Sequence, residues 1–164
     1  MKAGSRALGY SVGLAILAVA TPAAAATCGT LVNPILVTAT AVAFGLYSPG
    51  AAAATSSNGT VTVTCTITLA STLPSFTIAL SDGANGTFSQ RKMAFLGARL
   101  NYNIYTTASR STIWGDGTTS TATQSYSSSS ALPTTAFTAY GSLTARQFVG
   151  TGLYTDGITV TVTY

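Results

Sequence analysis

The sequence predicts an all-β chain folded as an antiparallel sandwich, and three observations carry the prediction. Val61, Val63, Cys65, Ile67 and Leu69 alternate with Thr60, Thr62, Thr64, Thr66 and Thr68, and Ile158, Val160, Val162 and Tyr164 alternate with Thr159, Thr161 and Thr163. A period of two places each set on its own face of a strand. Asn58-Gly59, Asp82-Gly83, Asn85-Gly86, Asp116-Gly117 and Asp156-Gly157 tolerate positive φ and read as turns between strands. No segment sustains a helical period, so short strands without intervening helices point to an immunoglobulin-like sandwich rather than a parallel α/β fold.

Taken in order, the chain opens with Lys2 and Arg6, an apolar run from Leu14 to Ala20, and small residues at Ala23 to Ala26. That layout is a secretory signal peptide over residues 1–26, cleaved after Ala26. The run is short of the ~20 residues a membrane span needs and no second candidate follows, so no transmembrane segment is expected after cleavage. Residues 27–164 then form one domain, long enough to bury a core of its own. Further strands are expected over Leu31–Phe44, with a break at Asn33-Pro34, and over Phe76–Leu80, Leu100–Tyr105 and Ala136–Leu143, all rich in β-branched or aromatic residues. Residues 117–135 are dominated by Ser and Thr and read as a long loop or irregular hairpin.

The charge pattern narrows the function. Seven basic and three acidic residues make up 6% of the chain, and two of the seven bases lie in the leader. Arg91, Lys92, Arg99, Arg110 and Arg146 are scattered, with one adjacent pair, so no nucleic-acid footprint is formed. Solubility rests on hydroxyl groups instead of ions. The two cysteines, Cys28 and Cys65, both fall in the exported part, where an oxidising compartment favours one disulfide. Closing that loop contributes roughly 4 kcal/mol in the chain-entropy estimate.

No histidine and no glutamate occurs, which removes the common general bases, the Ser-His-Asp arrangement and most zinc sites. Asp82, Asp116 and Asp156 each precede a glycine, where an Asx-type turn accounts for them. No cofactor is expected and the chain reads as non-enzymatic. The Asn-Gly-Thr sequences at Asn58 and Asn85 match the glycosylation pattern, but the turn reading is preferred. Trp114, in Trp114-Gly115-Asp116-Gly117, is the candidate ligand-loop residue if its ring is exposed, set against ordinary packing.

The ordered elements resemble the spore coat protein U domain family. They are Cys28, then Phe44-Gly45-Leu46-Tyr47-Ser48-Pro49, Gly59 to Cys65, Arg91 to Met93, and Leu100-Asn101-Tyr102-Asn103-Ile104-Tyr105-Thr106. Trp114-Gly115-Asp116-Gly117-Thr118, Tyr140-Gly141, Gln147 and Gly152-Leu153-Tyr154-Thr155-Asp156 follow. The resemblance implies a secreted structural or adhesive surface protein of a bacterium, passing through the periplasm to the cell surface, without catalysis. It implies a pilin-like sandwich lacking its last strand, with a periplasmic chaperone, an outer-membrane usher and other pilus subunits as partners. In such a subunit a chaperone, and later a neighbour, supplies the missing strand.

The face carrying Ile158, Val160, Val162 and Tyr164 is therefore expected to border a strand-acceptor groove, because an apolar edge without charge or proline invites pairing. Cys28 falls second after the expected cleavage site, which favours a tip or minor subunit of an archaic chaperone/usher pilus, active in adhesion or biofilm formation, over a shaft subunit. The alternatives are a free-standing secreted coat protein or a carbohydrate-binding module.

Overall fold

The computed structural model describes residues 35–65, 75–118, 120–127 and 134–164. Among them are eight strands: β1 (Ile35–Thr40), β2 (Thr55–Cys65), β3 (Ser75–Leu80), β4 (Arg91–Phe95), β5 (Ala98–Tyr105), β6 (Gln124–Ser127), β7 (Thr134–Leu143) and β8 (Val160–Thr163). They form a five-stranded sheet, β1-β2-β7-β5-β4, and a three-stranded sheet, β6-β3-β8. Every strand pairing is antiparallel. The described residues contain no helix, hence none long and apolar enough to cross a membrane. The expected all-β sandwich is what the chain forms.

Alternation builds the core. Odd-numbered residues of β2 and β7 and even-numbered residues of β5 turn inward, so Val61, Val63, Leu100, Tyr102, Ile104, Ala139 and Leu143 meet Phe76, Ile78 and Leu80 of β3. Each large aliphatic side chain fully removed from water contributes about 1.5–3 kcal/mol. The opposite face of β1, β2 and β7 is a ladder of hydroxyls. Thr40 lies opposite Thr60, which lies opposite Thr138; Thr38 and Thr62 form the next row, and Thr64 and Thr134 the one after. No ionisable side chain stands in those three rows.

Three sequence expectations need correction. Asn58-Gly59 is not a turn: it lies inside β2, with Asn58 opposite Tyr140 and Gly59 opposite Ala139. Glycine is required there by close approach, since a Cβ at Gly59 would stand 2.6 Å from the Thr40 carbonyl oxygen. Second, residues 117–135 are not simply a loop, because β6 pairs there with β3, placing Phe76 opposite Tyr126 with their rings stacked at 5.2 Å. Third, β4 and its hairpin to β5 were not expected. The turn is Leu96-Gly97, with φ of 43° and 88°, and leucine carries no turn signal.

The leader, residues 31–34 of the first expected strand, and Thr66 to Leu69 of the second lie outside the described residues.

Candidate functional site

A cavity of about 440 Å³ lies between the sheets on the β8 side. One wall is the inner face of the large sheet, with Val61, Ala139, Tyr102 and Ile104; Leu80, Ile158 and Val160 form the other. The small sheet ends at β8, which bonds to β3 alone among the described strands. Its outer edge is therefore open along the cavity. On the facing sheet β1 is also terminal, and its Val37, opposite Val63, is still 36% exposed.

Part of the space is filled by the segment that follows β1. Val42 and Phe44 pack against the core, and Phe44 meets the Tyr102 ring edge-on at 5.9 Å. Gly141 makes this possible, since a Cβ there would collide with the side chains of both Val42 and Phe44. Ser57 Oγ donates to the Ala43 carbonyl at 2.6 Å and fixes the segment against β2.

The cavity has one polar end. Asp156 and Tyr102 both line it, and the Tyr102 hydroxyl donates to Asp156 Oδ2 at 2.7 Å. Asp156 Oδ1 accepts the backbone N–H of Ala84 at 2.9 Å and of Gly157 at 2.9 Å. The Asx-turn reading of Asp156 was thus too small: its carboxylate ties the segment before β8 to β5 and to the loop after β3. Burial, reinforced by this hydrogen bond, raises the Tyr102 phenol above its ordinary range.

The predicted acceptor face is divided. Ile158 and Val160 line the cavity, and Ile158 does so from just before β8. Val162 packs on the core without lining the cavity. Tyr164 does not border it: β8 runs antiparallel to β3, with Leu80 opposite Val160 and Thr77 opposite Thr163, so the chain's end points away from the cavity. Tyr164 is 57% exposed and lies beside Phe76 and Tyr126 in a second, shallow concavity.

Trp114 also departs from its ligand-loop reading. The ring is fully buried and its Nε1–H donates to the Ile78 carbonyl at 3.0 Å, so it has no face to offer a sugar. Its backbone carbonyl accepts from Arg91 Nη2 at 2.8 Å. Arg91 is the feature that sequence reasoning missed. It is completely buried, and its guanidinium also donates to the Ser81 carbonyl through Nε at 3.0 Å and Nη2 at 2.6 Å, and to Asn103 Oδ1 through Nη1 at 2.6 Å. The Asn103 amide continues to the Phe88 carbonyl at 2.8 Å. Burial pulls Arg91 below its usual range, opposed by Tyr102, Asp82 and Asp156. One planar fork thus joins β3, β4, β5 and the Trp114 loop. The signal available was Arg91-Lys92, the one adjacent basic pair in a chain with few charges.

Asp116 is a local turn residue, accepting from Thr118 N–H at 2.9 Å and Thr118 Oγ1 at 2.6 Å, and these bonds hold its carboxyl below the usual range. Cys65 is buried against Ile35, and no cysteine among the described residues is free; Cys28 lies outside them.

A two-sheet antiparallel sandwich with an apolar cavity along an open terminal strand is the architecture of a pilin-type immunoglobulin-like domain. The chain belongs to the spore coat protein U domain family, whose model matches residues 14–161. Among solved structures it is similar to a chain of the crystal structure of the CsuC-CsuE chaperone-tip adhesion subunit pre-assembly complex from archaic chaperone-usher Csu pili of Acinetobacter baumannii. The TM-score is 0.50 at 20% identity, covering 82% of this chain and 40% of that one. The likeness is one of fold, and this chain spans less than half the length of that relative. No curated protein matches at a significant level.

Proposed function

We propose that this protein is a non-enzymatic structural subunit of an archaic chaperone/usher pilus, completed by a strand from another chain laid along the open edge of β8. The observation that carries the reading is that edge: Ile158 and Val160 line an apolar cavity about 440 Å³ in volume, facing a β1 whose Val37 and Ala39 are still exposed. An extended segment with alternating apolar residues would pair with β8 and send side chains into the cavity. A periplasmic chaperone supplies it first and a neighbouring subunit later.

The same reading takes residues 1–26 as an export signal, pairs Cys28 with Cys65 after export, and places the finished protein on the cell surface in adhesion or biofilm formation. Membership of the family and the fold shared with a chain of a chaperone-tip adhesion subunit complex support a position at the tip or as a minor subunit.

The test is expression of the mature chain with and without a co-expressed chaperone or a synthetic donor peptide. With a strand supplied, the protein becomes soluble and its melting temperature rises with peptide concentration, because a ligand that binds only the folded state stabilises it by mass action. A stable, monodisperse monomer indifferent to peptide and chaperone would sink the proposal and favour a free-standing coat protein.

A further inference from the structure

We propose that the end of the sandwich formed by the β4–β5 hairpin, the loop after β7 and the loop before β2 is a docking surface for an anionic phospholipid bilayer. These three segments meet at one pole. The Tyr47 hydroxyl donates to the Thr144 carbonyl at 3.2 Å and accepts the Gln147 N–H at 2.7 Å. The Gln147 side-chain amide grips both backbone groups of Asn101, at 2.6 and 2.9 Å. Ala94 and Thr155 exchange backbone hydrogen bonds at 2.8 and 3.2 Å, and Tyr154 packs on Phe95 at 5.8 Å, which carries Leu153 to the level of the hairpin tip.

From this braced base four large apolar side chains stand in solvent: Leu46 at 101% exposure, Leu96 at 91%, Phe148 at 83% and Leu153 at 77%. They make up four of the seven large apolar side chains exposed among the described residues, and each sits in a loop where a core role is not available to it. Leu96 holds its place at φ 43°, a left-handed conformation disfavoured for a residue with a Cβ. A side chain kept exposed on strained backbone points to use rather than to packing.

Charge selects the occupant. Residues 41–54, 92–101 and 144–154 contain Lys92, Arg99 and Arg146 and no acidic residue, and Arg99 and Arg146 are exposed. Apolar tips flanked by cations match a layer with anionic headgroups above hydrocarbon, whereas a second copy would bring its own cations against these. The four exposed side chains do not line the cavity beside β8, although Tyr154 and Thr155 of their base do.

The test is flotation of the full exported chain, held in solution by the co-expressed chaperone or donor peptide, with phosphatidylcholine vesicles, with and without phosphatidylglycerol. Binding requires phosphatidylglycerol and weakens with salt. Phe148→Ser with Leu153→Ser lowers it by at least about ten-fold, and Arg99→Gln or Arg146→Gln by about five-fold each. The four side chains are exposed, so unchanged melting temperatures show that these variants fold. Equal binding to neutral vesicles, or no binding to either, overturns the proposal. Self-association abolished by the Phe148 and Leu153 changes, without vesicle binding, overturns it in favour of a second copy as occupant.

Discussion

Tyr102 and Asp156 are 54 residues apart in sequence and joined by a 2.7 Å hydrogen bond at the polar end of the cavity. Tyr102→Phe removes the donor while keeping the ring against Phe44. A hydrogen bond to a charged acceptor is worth about 1.5–3 kcal/mol, so the variant should lose that much in urea unfolding with an unchanged m-value.

The same pair sets an alkaline limit. The folded state raises the phenol above its ordinary value near 10, so the folded protein keeps a proton that the unfolded chain releases. Stability is complete below pH 10 and falls as pH rises beyond it. Melting curves from pH 8 to 11 should show this decline in the wild type and a shallower one in Tyr102→Phe; parallel declines would contradict the assignment.

Arg91→Lys should fail to rescue Arg91→Met. An ammonium cannot span the Ser81 and Trp114 carbonyls and Asn103 Oδ1 together, and each buried acceptor left unpaired costs about 1–3 kcal/mol. Both variants are expected to lose at least about 3 kcal/mol, read as a matched drop in denaturation midpoint.

Gly141→Ala is the test of the filled part of the cavity. The added methyl meets Val42 and Phe44, and overpacking of this kind costs about 1–3 kcal/mol. Restoring space with Val42→Ala should recover part of the loss, which thermal melts of the double variant would show.

Val160→Asp is expected to abolish peptide-induced stabilisation while Thr161→Asp, one residue along on the exposed face of β8, leaves it intact. A titration that shifts the melting temperature of Val160→Asp as far as that of the wild type would remove β8 from the proposed acceptor edge. For the disulfide, non-reducing peptide mapping should recover Cys28 and Cys65 in one fragment, and Cys65→Ser should cost about 2–4 kcal/mol.

Where the period of two was unbroken the sequence was legible: Val61 and Val63, and Val160 with Val162, take the faces that alternation assigned them, and Phe76 to Leu80 forms the strand its composition predicted. It failed where a residue's role is set by what lies opposite it. Asn58-Gly59 has the chemistry of a turn, yet the glycine is needed because Thr40 passes over it inside the sheet. Leu96 forms a turn that its side chain opposes, so no propensity could have announced β4. Trp114 and Arg91 meet between a loop and β4, 23 residues apart in sequence, and such a pairing leaves no local mark. Tyr164 follows the alternation of β8 but is carried past the cavity by the direction in which β8 pairs with β3.

The hydroxyl rows of β1, β2 and β7 carry a last consequence. A surface without ionisable groups has no Coulomb energy for salt to screen or for acid to reverse, so whatever meets Thr38, Thr60 or Thr138 meets the same surface in fresh water and in brine. Copies of the protein laid face to face there would neither repel one another at low ionic strength nor loosen at high.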